Sequence, residues 1–107
     1  MHEIMHPTSG KRFEVAQNDF ETQMDWNKAM IMCEELGNGW RLPTKSELEL
    51  MHSELFQKGK GNLKSNYYWS NIETSSLRAW TLHFGYGTND YGFHKNKTAY
   101  VRAVRTI

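Results

Sequence analysis

The sequence predicts an α+β domain, and three observations predict it. One short strand pattern near the amino terminus precedes two amphipathic helix patterns. After residue 65 the apolar spacing shortens from three or four residues to two. No unit of the sequence repeats. The 107 residues provide for one domain, spanning 1–107.

Residues 1–10 are expected to be an irregular lead-in, because His6-Pro7-Thr8-Ser9-Gly10 holds turn formers without periodicity. Residues 11–16 place Phe13 and Val15 on one face of a short strand. The first helix is predicted from Asp25, its N-cap, to Leu36. Trp26, Ala29, Met30, Cys33 and Leu36 form one apolar stripe, and Gly37 supplies the positive φ that ends a helix. A tight connection, Gly37 to Pro43, carries the large apolar groups Trp40 and Leu42. Thr44-Lys45-Ser46-Glu47 fits a capping box. It opens a second helix with Leu48, Met51, His52 and Leu55 on the buried side, ending near Gly59. Residues 58–65 read as an exposed polar loop, and 67–70, 79–84 and 99–105 as antiparallel strands.

Composition excludes several functions. Lys and Arg total 13 against 12 Asp and Glu, a net charge of +1, which does not suit a general nucleic-acid binder. No apolar run approaches the roughly 20 residues that a membrane span needs. The start, MHEIMHPTSGKRF, lacks the apolar stretch of a signal peptide, which favours the cytoplasm. The single cysteine rules out an intramolecular disulfide and any cysteine-pair metal site.

His2-Glu3-Ile4-Met5-His6 matches H-E-x-x-H, whose zinc chemistry needs a helix that puts both imidazoles on one face. It lies at a terminus with Pro7 directly after it, and is read as a chance match. Cys33 lies on the helical stripe and is read as a small buried hydrophobe rather than a nucleophile. Trp26, Trp40, Trp69 and Trp80 are assigned to the core with Cys33, Leu42 and Leu48, and Arg41 is expected to be packed or paired.

Residues 83–94 read His-Phe-Gly-Tyr, Gly-Thr-Asn-Asp, Tyr-Gly-Phe-His, with flanks that mirror each other. A hairpin with a four-residue loop at 87–90 pairs Tyr86 with Tyr91, Gly85 with Gly92, Phe84 with Phe93 and His83 with His94. Tyr, Gly, Asn and Thr together resemble a binding-loop composition. The candidate ligand site is therefore Tyr86, Thr88, Asn89, Asp90 and Tyr91, with the tyrosines stacking and Asn89 and Asp90 hydrogen-bonding. The plainer reading is a stable hairpin with a solvated tip. His83 and His94 supply two ligands of a possible zinc or nickel site without a third, so no metal and no cofactor is assigned.

The ordered pieces Trp26-x-x-Ala29-x-x-x-Cys33, Gly39-Trp40-Arg41-Leu42-Pro43-Thr44, Glu47-Leu48, Tyr68-Trp69-Ser70, Ala79-Trp80, Phe84-Gly85 and Tyr100-Val101-Arg102-Ala103-Val104-Arg105 together resemble a known pattern. It is that of the bacterial collagen-like-protein C-terminal (Lcl-type) domain family, and the resemblance covers about residues 13–106. It implies a C-type-lectin-like fold, with two helices packed on a small antiparallel sheet and a looped hairpin region. It also implies a distant relationship to formylglycine-generating enzyme, whose paired cysteines and copper one cysteine cannot reproduce. The family has no general catalytic activity, and members are commonly modules of surface proteins, some of them adhesins. The resemblance thus favours the cell surface or secretion, whereas the start of the chain favours the cytoplasm, so no compartment is assigned. The Glu-Pro-Asn, Gln-Pro-Asp and Trp-Asn-Asp triplets of calcium-dependent lectins are missing here. The sequence is therefore read as a calcium-independent, non-catalytic module that binds a glycan or a protein surface. The alternative is a small intracellular interaction or assembly protein that uses the same surface to oligomerise or to join a complex.

Overall fold

The computed structural model describes residues 2–107, with Tyr91 described by its backbone alone. The elements in order are β1 (His2–Met5), β2 (Arg12–Val15), α1 (Trp26–Glu35), α2 (Lys45–Glu54), a 3-10 turn (Phe56–Lys58), β3 (Tyr67–Glu73), β4 (Arg78–His83), β5 (Thr88–His94) and β6 (Val104–Thr106). They form an α+β fold with two antiparallel three-stranded sheets, ordered β1-β2-β6 and β3-β4-β5. Among the described residues, no helix is long and apolar enough to cross a membrane.

Both helices start where the sequence places caps. The Asp25 carboxylate accepts from the Lys28 N–H at 2.9 Å. The Thr44 hydroxyl accepts from the Glu47 N–H, and the Glu47 carboxylate accepts from the Thr44 N–H, closing the capping box. Gly37 ends α1 at φ 72°, and Gly59 ends the 3-10 turn at φ 69°.

The amino-terminal lead-in is instead a strand. β1 pairs with β2 from His2↔Val15 to Met5↔Arg12. Ile4 stands opposite Phe13, and both are buried. The alternation is hard to read in a four-residue strand whose other side chains are His, Glu and Met. It also places successive side chains on opposite faces, so the H-E-x-x-H stretch is not helical.

The strand predicted over 99–105 is regular only at Val104–Thr106. Upstream, the chain is threaded through the interior. Ala99 bonds Met24, Tyr100 bonds Tyr67 and Trp69, and the carbonyls of Val101 and Ala103 accept from Phe20 and Ala16. Its backbone groups are satisfied by two different segments, so ladder geometry is lost while burial is kept. Val101, Arg102, Ala103 and Val104 are all buried, which also hides any period of two.

Alternate side chains of the β3-β4-β5 sheet serve two cores. Tyr68, Trp80 and Leu82 pack with Leu48, Met51 and Leu55 of the α2 region, and with Ile4, Phe13 and Val15. Trp69 and Ala79 pack with Trp26, Ala29 and Cys33 of α1, with Tyr67 and Phe93 against them. Trp26, Cys33, Leu42, Leu48, Trp69 and Trp80 are buried as expected. Trp40 is only half-buried. It lies on the edge of the α1 core with the Arg105 guanidinium 4.7 Å from its ring centroid. A ring on a connection has one face left over, and the arginine covers it.

Candidate functional site

The hairpin between β4 and β5 turns at Phe84–Gly87, three residues earlier than the mirrored sequence suggests. His83 pairs with Thr88, Leu82 with Asn89 and Thr81 with Asp90, while His94 pairs with Arg78. The four pairings of the mirrored reading are therefore not made. The physical reason is Phe84. Its ring is fully buried and stacks on Tyr68 at 4.6 Å, with Phe56 at 5.8 Å and His52 at 5.7 Å. Its N–H donates to the Asn66 carbonyl, and its carbonyl accepts from His52 Nε2 at 2.9 Å. Burying a Phe outweighs matching two flanks.

Two glycines then make the turn possible. A Cβ on Gly85 would meet Ser65 Oγ at 1.8 Å. Gly87 adopts φ 67° and donates its N–H to the His83 carbonyl at 2.8 Å.

Paired residues share a face of the sheet, so the observed register sorts the predicted ligand residues. Thr88 shares a row with Tyr67 and His83, and Asp90 shares one with Trp69 and Thr81. Asn89 shares a row with Tyr68 and Leu82, on the opposite face. Asp90 also has a local task. β5 carries one extra residue between Asp90 and Phe93, and Asp90 Oδ1 accepts from the Gly92 N–H at 2.8 Å beside this bulge. The Tyr91 side chain lies outside the described residues.

His83 and His94 do not oppose each other. Arg78, the partner of His94, lies five residues from His83 along β4, so roughly 16 Å separates the two histidines at a strand rise of about 3.3 Å per residue. His94 lines an open cleft of about 430 Å³ with Asp25, Asn27 and Leu77, away from the turn. The register thus removes the two-histidine metal pair.

What the turn does build is a continuous row of rings, which the sequence reading missed. Tyr86 is 80 % exposed and stacks on His83, centroids 4.5 Å apart and planes within 22°. The Tyr86 N–H donates to His83 Nδ1 at 3.2 Å. His83, almost buried, meets Tyr67 edge-on at 4.6 Å. Tyr67 lies 4.9 Å from Phe93, and Phe93 lies 5.2 Å from the fully buried Trp69. The row runs from the α1 core to solvent, so the exposed ring rests on a packed stack. The available signal was the alternation of Tyr67 and Trp69 on one strand, and it becomes informative only once the register of β4 is known.

The other reactive groups belong to the structure. Burial, with Glu34 nearby, pushes the Cys33 thiol up to about 12, which leaves no thiolate at neutral pH. Arg41 makes a bidentate pair with Glu47 at 2.7 and 2.9 Å. An open groove of about 500 Å³ lies between β1 and the end of α2, and none of the predicted ligand residues lines it. No group of three metal-binding side chains occurs among the described residues.

Compared with known proteins, residues 6–105 match the model of the Lcl C-terminal domain family. No curated protein matches the chain.

Proposed function

Because this chain belongs to the Lcl C-terminal domain family, we propose that it is a non-catalytic, calcium-independent ligand-binding module of C-type-lectin-like fold, whose contact surface is the outer end of the ring row at Tyr86. The observation that carries this reading is the exposure of Tyr86 together with its support. A solvent-facing tyrosine that only closed a turn would not need a second ring stacked beneath it and three more behind. Each stacked or edge-on pair contributes about 0.5–1.5 kcal/mol beyond its burial, which holds the tip in one orientation before any ligand arrives. An aromatic side chain presented rigidly gives contact area at low entropic cost.

The residues assigned to contact are Tyr86 and Thr88, which share the His83 side of the sheet. Asn89 on the other face and Asp90 at the bulge stand at the margin. The buried, proton-bound Cys33 speaks against a thiol nucleophile.

The test is an array of glycans and surface proteins, probed with wild type and Tyr86→Ala, with and without a chelator. Binding that survives chelation and is lost in the variant, with the fold retained and only a small loss of stability, supports the reading. Equal binding by both proteins contradicts it. A stable oligomer that hides Tyr86 would instead favour an assembly role.

A further inference from the structure

We propose that the ligand taken by Tyr86 is a neutral pyranose unit, bound by stacking of its C–H face on the outer face of the tyrosine ring. The inference rests on the reading of the tip as the contact surface and adds the chemistry of what it contacts.

The first observation is geometric. His83 covers one face of the Tyr86 ring nearly in parallel, 22° between planes, yet the residue remains 80 % exposed. The exposed area therefore includes the opposite ring face, which is flat, apolar and open. A hexopyranose presents a matching surface, a patch of C–H groups with hydroxyls around its rim. Tyrosine pairs well with such an amphipathic partner, since its ring is apolar and its hydroxyl is polar.

The second observation is electrostatic. The two segments that build the tip and its support, residues 65–72 and 79–89, contain no Asp, Glu, Lys or Arg. Among the described residues, ion pairs join Glu3 to Arg12, Glu14 to Arg105, Asp19 to Arg102, Arg41 to Glu47, Glu54 to Lys58 and Glu73 to Lys95, and none of these groups comes from those segments. A sulfated or carboxylated ligand is recognised by charge-assisted hydrogen bonds from Arg or Lys, and the tip supplies neither. It offers instead the neutral, exposed side chain of Thr88, opposite His83. A neutral hydroxyl beside one apolar ring face, with a carboxylate at the margin (Asp90, engaged by the Gly92 N–H) and no cation in these segments, matches an uncharged sugar better than an anionic one.

A single stacking platform gives weak, fast-exchanging binding that salt does not affect, because no ion pair is formed. The experiment is an NMR titration of the labelled full chain with neutral glucose-, galactose-, mannose- and N-acetylglucosamine-containing disaccharides. A sulfated disaccharide is run in parallel, each at low and high salt. At least one neutral disaccharide is expected to shift the resonances of Tyr86, Gly87 and Thr88, with an affinity that changes less than about twofold between the two salt conditions. Tyr86→Phe should keep that binding, and Tyr86→Ala should weaken it about tenfold or more, the loss of one good contact. If only the sulfated sugar shifts the tip, and salt abolishes this, the neutral-sugar inference is overturned while the tip remains a binding surface. If no saccharide shifts the tip, the inference is likewise overturned. The protein half of the array, compared between wild type and Tyr86→Ala, then decides separately whether the tip binds at all.

Discussion

The Arg102 guanidinium is completely buried and donates its Nε–H to Asp19 Oδ1 at 2.8 Å, across 83 positions of sequence. Its other nitrogens donate to the carbonyls of Ala16 and Asn62. Asp19 Oδ2 in turn accepts from the Tyr68 hydroxyl at 2.6 Å, and that hydroxyl accepts from the Lys64 N–H at 2.8 Å. One ion pair thereby ties the loop before α1, the loop after α2, strand β3 and the threaded carboxy-terminal segment to one another.

Replacing Arg102 with Met should destabilise the protein by about 3–5 kcal/mol, because Asp19 is left as an uncompensated buried charge. A domain of this kind has about 5–15 kcal/mol in total, so the variant should melt far lower. Chemical denaturation measures this. The double variant Arg102→Met with Asp19→Leu should recover part of the loss, because the orphaned charge is gone. A single variant within about 0.5 kcal/mol of wild type would contradict the assignment.

Burial, first, and the hydrogen bond to Asp19 raise the Tyr68 hydroxyl well above its ordinary range. The folded protein then keeps this proton at pH values where the unfolded chain releases it, near 10. The stabilising contribution is intact below pH 10 and is lost as the pH rises beyond it, by at most about 1.4 kcal/mol per unit for one group. Tyr68→Phe should flatten this alkaline limb. It should also cost about 1–3 kcal/mol at neutral pH, since the Lys64 N–H loses its acceptor.

Glu47 shows the opposite sign. Burial acts to raise its carboxyl, but the hydrogen bonds from Arg41 and Thr44 and the Arg41 charge outweigh it and hold the group low. Its contribution is present above about pH 4.3 and is lost as the pH falls below that. Arg41→Met should remove much of this acid limb. It should cost about 2–3 kcal/mol, less than a fully buried pair because Arg41 is one-third exposed. Urea midpoints between pH 3 and 7 check both.

Trp40→Ala should cost about 2 kcal/mol, and Trp69→Ala about 3–5 kcal/mol. Trp69 is wholly enclosed and donates its indole N–H to the Met24 carbonyl at 2.8 Å, whereas Trp40 leans on Arg105 at the rim. Equal losses would mean that the two tryptophans have been misranked.

The helices were legible because their signals are local. Asp25, Thr44 and Glu47 cap within three residues of themselves, and the stripe from Trp26 to Cys33 lies on one turn after another. The family pattern was legible for a similar reason, as Gly39–Thr44 and Glu47-Leu48 are contiguous pieces. The hairpin register was not, because it depends on Asn66 and Tyr68, which hold Phe84 from the start of β3, and on Ser65, which leaves no room for a side chain at Gly85. Without that anchor, the mirrored flanks of residues 83–94 favoured a turn at 87–90. Asp19 was equally silent, since its partners lie 49 and 83 positions away.

The central claim is that ligand covers the Tyr86 ring, and side-chain footprinting measures it directly. The wild-type protein is exposed to hydroxyl radicals with and without the ligand that the array identifies. Oxidation of Tyr86 should fall several-fold on binding, while Ile31 and Leu77, exposed elsewhere, should be modified to the same extent in both samples. Undiminished oxidation of Tyr86 in the saturated complex, with protection at Ile31 or Leu77 instead, would contradict the account.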